Sequence, residues 1–235
     1  MTTVLLVRHG RTTSNAAGTL AGWTPGVLLD EKGRDQATAL GQRLAEVPLQ
    51  LVVSSPLERC RETTERVLLP RTELPEVVFD DGIGEAHYGD WTGKPLSELA
   101  TDPMWPVVQA HPTGAVFPGA DGEAMAAMAA RAVATVRKHA LAAGEAHGEH
   151  ATVMFVSHGD IIKAILADAM GLHLDLFQRI QVDPASLSVI RYTQLRPFVE
   201  RVNDTGGSVA GLLPPPPDAP SAESGDAAVG GGAGA

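Results

Sequence analysis

One short pattern occurs twice in the chain and limits the folds that it can adopt. An apolar run, one polar residue and then His-Gly appear at 4–10 and again at 153–159. Short apolar runs of this kind are typical of strands buried on both faces of a parallel sheet. Further runs at 51–53 and 76–79 alternate with segments of helical spacing such as 34–47. The alternation predicts an α/β fold with a mostly parallel central sheet and helices on both faces.

Further elements follow from capping signals and composition. Ser55 as a cap and Pro56 in the first turn predict a helix that runs to about Leu69. The Ala-rich segment 121–143 has strong helical propensity. We also predict a helix at 160–170, strands at 186–192 and 197–202, and loops with short helices across the Gly-, Pro- and Trp-rich segment 80–120.

Composition and charge argue against several classes of protein. The net charge of −10 and the aromatic content of 4% disfavour a nucleic acid as partner. No apolar run approaches the roughly 18–20 residues that cross a bilayer, so we expect no membrane span. The single cysteine, Cys60, excludes an intramolecular disulfide and a cysteine-rich zinc site. No basic leader precedes the first strand, so we expect a cytoplasmic location.

The composition changes after residue 203. Residues 204–235 are rich in Gly and Pro, include Pro214–Pro217, and show no periodic apolar face. Such a segment buries too little surface to offset its chain entropy. We therefore expect one domain at 1–203 and a disordered tail at 204–235. A proline-rich ligand for a partner's aromatic groove is the alternative interpretation of the tail.

The two His-Gly pairs lie where α/β proteins bind their ligands. Ligands of open α/β sheets collect beyond the carboxyl ends of the strands. If the two strands are neighbours, about 4.8 Å apart, His9 and His158 emerge at the same edge and face each other. Gly10 and Gly159 let the backbone turn there and leave room for a ligand. An isolated histidine at a strand end is more often structural, but the repeated context favours a functional pair.

Arginines and a carboxyl group extend this candidate site. Arg8 adjoins His9, and Arg59 lies near the N-terminus of a predicted helix, a position that favours anions. Thr12 and Asn15 either donate to phosphate oxygens or cap a turn, and their spacing does not decide between the two. Glu85 lies in a partly apolar loop that can raise its pKa for proton donation. Taken alone, its segment is more typical of an exposed loop glutamate.

Taken in order, these motifs resemble the histidine phosphatase superfamily, the phosphoglycerate-mutase-like proteins. The Arg-His-Gly triplet alone is common, but five segments stand in the family's order across residues 2–202. They are 6–15, 31–37, 54–63, 85–93 and 156–160. The resemblance implies a phosphoglycerate-mutase-like three-layer sandwich that needs no metal or other cofactor.

The resemblance also implies a role for each site residue. His9 is expected to attack phosphorus and become phosphohistidine. Arg8, Arg59 and a charged His158 are expected to surround the phosphoryl oxygens. Glu85 is expected to protonate the leaving oxygen and then to activate water. The residues expected to contact the substrate are Arg8, Gly10, Thr12, Asn15, Gly22, Arg59, His87, Tyr88 and Gly159.

Departures from the mutases of this family favour a phosphatase. Ala86 follows Glu85 where those mutases carry arginine, and Asp160 stands where they usually carry asparagine. Lys94 is the only lysine or arginine between Glu85 and Arg131, so the pocket would hold a bisphosphorylated glycerate poorly. We therefore predict a metal-independent phosphomonoesterase of the histidine acid phosphatase type. A phosphomutase is the alternative.

Two hypotheses from other classes have less support. A catalytically silent interaction protein on this fold is expected to lack His9 or His158, and both are present. A metal site built from His9, His87, His158 and Glu85 is disfavoured because the neighbouring arginines repel a cation. The expected partner is a small phosphorylated metabolite, and the resemblance also allows a homodimer.

Overall fold

The computed structural model describes residues 1–148 and 151–206, so 207–235 of the predicted tail lie outside the described residues. Six strands form one sheet in the order β3-β2-β4-β1-β5-β6. The strands are β1 (Thr2–Arg8), β2 (Leu51–Ser54), β3 (Glu76–Phe79), β4 (Ala151–Ser157), β5 (Leu187–Tyr192) and β6 (Pro197–Asp204).

Most of the sheet is parallel, as the sequence predicts. The pairings β1–β4, β2–β4 and β2–β3 are parallel. The last two strands run antiparallel, β5 beside β1 and β6 beside β5. β6 ends at Asp204, one residue beyond the predicted domain boundary. No helix in the described part of the chain has the length and apolar character needed to cross a bilayer.

Helices cover both faces of the sheet. Alternate residues of β1 point to opposite faces, so Val4 and Leu6 join one apolar cluster while Leu5 and Val7 join the other. The first cluster packs under α6 and α7, and the second under α2 and α3. The α-helices of the described residues are α1 (Thr13–Ala16), α2 (Glu31–Leu44), α3 (Glu58–Leu68), α4 (Leu96–Leu99), α5 (Trp105–Ala110), α6 (Met125–His147) and α7 (Gly159–Ala169).

Two helices begin later than the sequence predicts. α3 begins at Glu58, and Leu57 at its N-cap makes no side-chain capping bond. The Ser55 hydroxyl, predicted to cap this helix, lies instead 2.8 Å from His158 Nε2. α6 begins at Met125 rather than residue 121, because Gly122 and Ala124 form bridges with Tyr88 and Val116. Tertiary pairing therefore overrides the helical propensity at this end.

Candidate active site

The sheet brings the two histidines together. In the parallel β1–β4 pair Arg8 lies opposite Ser157, so His9 and His158 follow at the same level. The His9 backbone N–H donates to the Ser157 carbonyl at 2.9 Å. The ring centroids of His9 and His158 are 5.3 Å apart at an interplanar angle of 60°. The geometry predicted from the repeated pattern is present.

The backbone fixes the tautomer of His9. Its Nδ1 lies 2.8 Å from the Gly10 carbonyl oxygen, which can only accept a hydrogen bond. Nδ1 therefore carries the proton, and Nε2 keeps a free lone pair. Burial, with Arg59 and Arg8 nearby, holds the pKa of His9 well below 6.5. His9 is thus a neutral imidazole with its nucleophilic nitrogen available at neutral pH.

Gly10 has a packing reason of its own. A Cβ at this position would lie 2.5 Å from the Gly33 carbonyl oxygen, so only glycine lets this turn approach the start of α2 so closely. Its backbone N–H donates to the Thr63 hydroxyl of α3 at 3.0 Å. The glycine thereby fixes the turn that presents His9.

Ser55, which follows β2, and Glu85, from the loop after β3, both contact His158. Its Nε2 lies 2.8 Å from the Ser55 hydroxyl, and its Nδ1 lies 3.6 Å from Glu85 Oε2. Burial, followed by the positive charge of Arg59, holds the pKa of His158 well below 6.5. The charge expected on His158 is therefore opposed by its surroundings. A neutral ring still donates one hydrogen bond through the nitrogen that carries its proton.

Both predicted arginines lie buried beside the histidines. Arg8 is fully buried at the end of β1 and donates from Nη1 to the Val182 carbonyl at 2.8 Å. Arg59, the second residue of α3, donates from Nη2 to the Gly22 carbonyl at 2.9 Å. Among the described residues, the buried Nη1 of Arg59 has no hydrogen-bond partner. A buried guanidinium with an unused donor is suited to binding an anion.

Glu85 completes the cluster as a buried carboxyl group, not as the exposed loop residue that its segment alone favours. It is 4% exposed, and its Oε2 lies 3.7 Å from Arg59 Nη2. Its Oε1 accepts a hydrogen bond from the Ala86 backbone N–H at 3.1 Å. Burial raises the pKa of Glu85 to about 7, although Arg59 works in the opposite direction. Near neutral pH this group can both give and take a proton.

Arg131 of α6 holds the loop that carries Glu85. It forms a two-point ion pair with Glu123 at 2.7 and 2.9 Å. It also donates to the carbonyls of Gly82, Gly84 and Glu85 at 2.9–3.0 Å. Five donors on one planar group allow this many bonds at once. Arg131 therefore acts as a scaffold and has no free charge for a substrate.

Replacing Arg131 by methionine is expected to lower the free energy of unfolding by about 2–4 kcal/mol, because several loop carbonyls and Glu123 lose their donor. Urea unfolding measures the change. The matched control is Arg137→Met on the same helix, where an exposed pair with Asp168 contributes within about 1 kcal/mol. Equal losses in the two variants would contradict the scaffold role.

The other predicted substrate contacts have structural partners of their own. Thr12 caps α1 and forms a capping box with Asn15, so the capping alternative describes their observed bonds. Gly22 accepts from Arg59, and Gly159 is the first residue of α7. His87 is exposed and outside the buried cluster. Within the described ranges, no group of three or more His, Cys, Asp or Glu side chains could hold a metal ion.

A cavity of about 790 Å³ adjoins the Glu85 loop. The Trp23 indole N–H donates to the Glu85 carbonyl at 2.7 Å, and the His87 ring stacks on Trp23 with centroids 4.6 Å apart. These contacts place the cavity against the loop that carries Glu85. Its wall consists of Trp23, Thr24, Pro25, His87, Tyr88, Gly89, Asp90, Thr92, Ala120 and Asp121.

Sequence reasoning missed Ser55, Arg131 and Trp23 as supports of the site. Ser55 was assigned to a helix cap because Ser-Pro is a strong local signal. Nothing in the local sequence ties Arg131, which lies 46 residues beyond Glu85, to the loop that it holds. Asp160, which departs from the asparagine usual in the mutases, had a sequence signal but no predicted contact with the site.

The chain matches known proteins over most of its length. The family model described as "Histidine phosphatase superfamily (branch 1)" matches residues 4–205. Glucosyl-3-phosphoglycerate phosphatase of Mycolicibacterium vanbaalenii is 32% identical over 177 residues, covering 73% of this chain and 76% of that protein. The 2,3-bisphosphoglycerate-dependent phosphoglycerate mutase 2 of Gloeobacter violaceus is 29% identical over 192 residues, covering 78% and 82%.

A solved structure agrees with the fold. Bacillus stearothermophilus YhfR superposes with a TM-score of 0.77 at 29% identity, covering 87% of this chain and 98% of that one. The six-stranded, mostly parallel sheet predicted from the sequence is therefore that of a phosphoglycerate-mutase-like fold. From the family match and the ordered motifs, the chain belongs to the histidine phosphatase superfamily.

Proposed function

We propose that this protein is a metal-independent phosphomonoesterase that hydrolyses a small organic phosphate through a phosphohistidine at His9. The observation that carries the proposal is the state of His9: a neutral imidazole with Nδ1 bound to the Gly10 carbonyl and Nε2 unprotonated. Arg8, Arg59 and His158 surround it and supply donors for the phosphoryl oxygens. The cationic groups of the site are arginines, so no metal ion is required to balance the charge.

In the first step, His9 Nε2 forms a bond to phosphorus while the bond to the leaving oxygen breaks. Charge on the equatorial oxygens is spread over Arg8, Arg59 and the donor of His158. Glu85 Oε2 lies on the side of Arg59 and His158 and passes its proton to the departing alkoxide. The products of this step are the free alcohol, phosphohistidine and an ionised Glu85.

In the second step, water replaces the alcohol. Ionised Glu85 takes one proton from the water as its oxygen forms a bond to phosphorus, and the bond from phosphorus to Nε2 breaks. Inorganic phosphate leaves, and both His9 and Glu85 return to their starting states. A carboxyl group with a pKa of about 7 serves both steps, because neither protonation state is strongly favoured at neutral pH.

A phosphate-release screen over a panel of phosphomonoesters, run with a chelator present, tests the proposal. Release that the chelator does not reduce is the expected result, and the ranking of substrates identifies the leaving group. No release combined with phosphate transfer between a donor ester and an acceptor alcohol would instead establish the phosphomutase alternative, which the Gloeobacter violaceus relative keeps open. Loss of release on chelation would contradict the mechanism.

The charge of the cavity favours a leaving group that is not anionic. Asp90 and Asp121 line it, and no lysine or arginine of the described residues does. Arg131 holds the Glu85 loop, and Lys94, which follows the wall residue Thr92 closely in the chain, lies 3.6 Å from Glu98. A glycerate carboxylate in this cavity would therefore meet like charge without a cationic partner. This argues for hydrolysis of a neutral or cationic ester over mutase chemistry on phosphoglycerates.

Replacing Asp121 by lysine is expected to raise kcat/KM for phosphoglycolate about fivefold relative to 2-hydroxyethyl phosphate, since an exposed charge contributes up to about 1 kcal/mol. The two esters differ in leaving-group charge and hardly in size. Initial rates at low salt measure the ratio. Glu73→Lys, an exposed reversal remote from the cavity wall, is the control. An unchanged ratio would show that the leaving group does not approach Asp121.

A further inference from the structure

A buried tyrosine links Glu85 to a second carboxyl group that the proposed mechanism does not use. The Tyr88 hydroxyl lies 3.3 Å from Glu85 Oε1 and 3.2 Å from Asp160 Oδ2. Tyr88 and Asp160 are fully buried, and Glu85 nearly so. Asp160 comes from the first turn of α7, directly after His158 and Gly159. The start of α7 and the Glu85 loop therefore contribute to one polar chain behind the acid.

Asp160 has a cationic neighbour on its far side. Lys163 Nζ lies 3.5 Å from Asp160 Oδ1 and donates to Gln178 Oε1 at 2.9 Å. Lys163 lies one helical turn beyond Asp160 on α7. Because Lys163 is only 3% exposed, the ion pair is buried. The positive charge of Lys163 offsets part of the cost of burying the Asp160 carboxylate. Its negative charge then acts on Glu85 through a single intervening hydroxyl group.

The hydroxyl group has only one hydrogen to share between two acceptors. When Tyr88 donates to Asp160, its oxygen faces Glu85 Oε1 as an acceptor, which suits a protonated Glu85. When Glu85 is ionised, the same hydrogen can turn to Oε1 and stabilise the new carboxylate. The arrangement thus couples the direction of one hydroxyl group to the protonation state of Glu85.

We propose that Asp160 is a positioning residue that keeps Glu85 protonated until the leaving oxygen takes its proton, and that Tyr88 is a second positioning residue that then stabilises the ionised form. The inference rests on the proposed role of Glu85 as proton donor. No atom is transferred along the chain: the Tyr88 hydrogen stays on its oxygen and only changes acceptor. The negative charge of Asp160 is among the causes that raise the pKa of Glu85.

Other charged groups also contribute to the pKa of Glu85 in the parent protein. Arg59 from α3 and Arg8 from β1 favour the ionised carboxylate, and burial opposes it. His158 at the end of β4 lies 3.6 Å away, but burial keeps this ring neutral. Asp160 favours a protonated Glu85, and its negative charge also acts on Arg8.

Asp160→Asn tests the inference through the pH dependence of kcat/KM with an alkyl phosphate, which reports the steps up to release of the alcohol. Activity requires protonated Glu85, so it falls as pH rises through the pKa of Glu85, near 7 in the parent protein. Removing the neighbouring negative charge lowers that pKa. The descending limb is expected to move down by about one pH unit, with about a tenfold loss at pH 8.

Tyr88→Phe is expected to move the same limb in the opposite direction. Ionised Glu85 loses a hydrogen bond from Tyr88, so its pKa rises, by up to about one unit. Loosened packing would lower the rates at every pH. It therefore cannot explain opposite shifts of the descending pH limb in two nearly isosteric variants. Asp168→Asn, a partly exposed carboxylate on the same helix, is the matched control and is expected to leave the limb in place.

The choice of substrate separates this inference from the proposed function. With p-nitrophenyl phosphate, whose leaving group needs no proton, the Asp160→Asn profile is expected to keep the parent shape. A limb that stays within about 0.3 pH units of the parent in both variants would overturn the inference while leaving the phosphatase intact. If the parent releases no phosphate at all, the proposed function fails instead.

A direct titration of Glu85 tests the inference whether or not the parent protein releases phosphate. The ¹³C carboxyl signal of Glu85, assigned by its loss in Glu85→Gln, can be titrated in the parent protein and in both variants. A midpoint that falls in Asp160→Asn and rises in Tyr88→Phe supports the inference. Midpoints that coincide in all three proteins overturn it.

Discussion

Replacing His9 by alanine is expected to lower kcat for phosphate release by at least about 10⁴-fold while the protein stays folded. The methyl group cannot attack phosphorus, and removal of a nucleophile typically costs this much or more. His9 is 3% exposed at a strand end, and its ring makes one hydrogen bond, to the adjacent Gly10 carbonyl. Its loss therefore leaves the β1–β4 pairing unchanged.

The measurement combines steady-state phosphate release with trapping of the intermediate. Protein mixed with a ³²P-labelled ester and quenched in alkali should retain label in the parent and none in His9→Ala. His173→Ala is the control. His173 is exposed and follows the C-terminal end of α7, whereas His158 precedes its N-terminal end. Residual release by His9→Ala within about tenfold of the parent would place the nucleophile elsewhere.

Glu85→Gln is expected to slow alkyl phosphates by about 10²–10⁴-fold and aryl phosphates far less. Glutamine fills the same volume and can still accept from Ala86, so the loop is expected to stay in place. It has no proton to give to an alkoxide. An aryl oxide leaves readily as an anion, whereas an alkoxide needs the proton as the bond breaks.

A plot of log kcat/KM against the pKa of the leaving alcohol measures this effect. The slope should become steeper in Glu85→Gln than in the parent protein. Glu98→Gln, at an exposed carboxylate paired with Lys94, is the control and should leave the slope unchanged. Equal slowing of aryl and alkyl esters would show that Glu85 is not the acid, even if His9 is the nucleophile.

The repeated His-Gly pattern predicts the edge of the sheet at which the candidate site lies. A strand buried on both faces consists of consecutive apolar residues, and the first polar residue marks its end. Once β1 and β4 were taken as neighbours, the proximity of His9 and His158 followed from strand spacing alone. The 5.3 Å between the rings confirms that step.

Local signals failed where a distant partner competed for the same residue. Ser55 has the sequence context of a helix cap, yet its hydroxyl lies against His158, which is 103 residues away. The predicted helix includes 121–124, yet bridges from Gly122 to Tyr88 and from Ala124 to Val116 hold this segment extended. In both cases a tertiary contact outweighs a local preference of about 1 kcal/mol or less.

The sequence alone does not predict the pKa of Glu85, again because residues distant in the chain determine it. A glutamate in a Gly- and Trp-rich loop is usually solvated, and burial, with the charge of Asp160, raises its pKa to about 7 against the effect of Arg59. That burial depends on Arg131, which binds the loop from another helix.

By itself, the sequence determined the α/β class and the residues at the two strand ends, because these follow from short-range periodicity. The order of the motifs carried the resemblance to the family. The tertiary structure decided which groups are protonated and which way they face. Burial and neighbouring charge set a pKa, and both depend on contacts between segments far apart in the chain. The neutral His9, the neutral His158 and the protonatable Glu85 are therefore properties of the folded molecule.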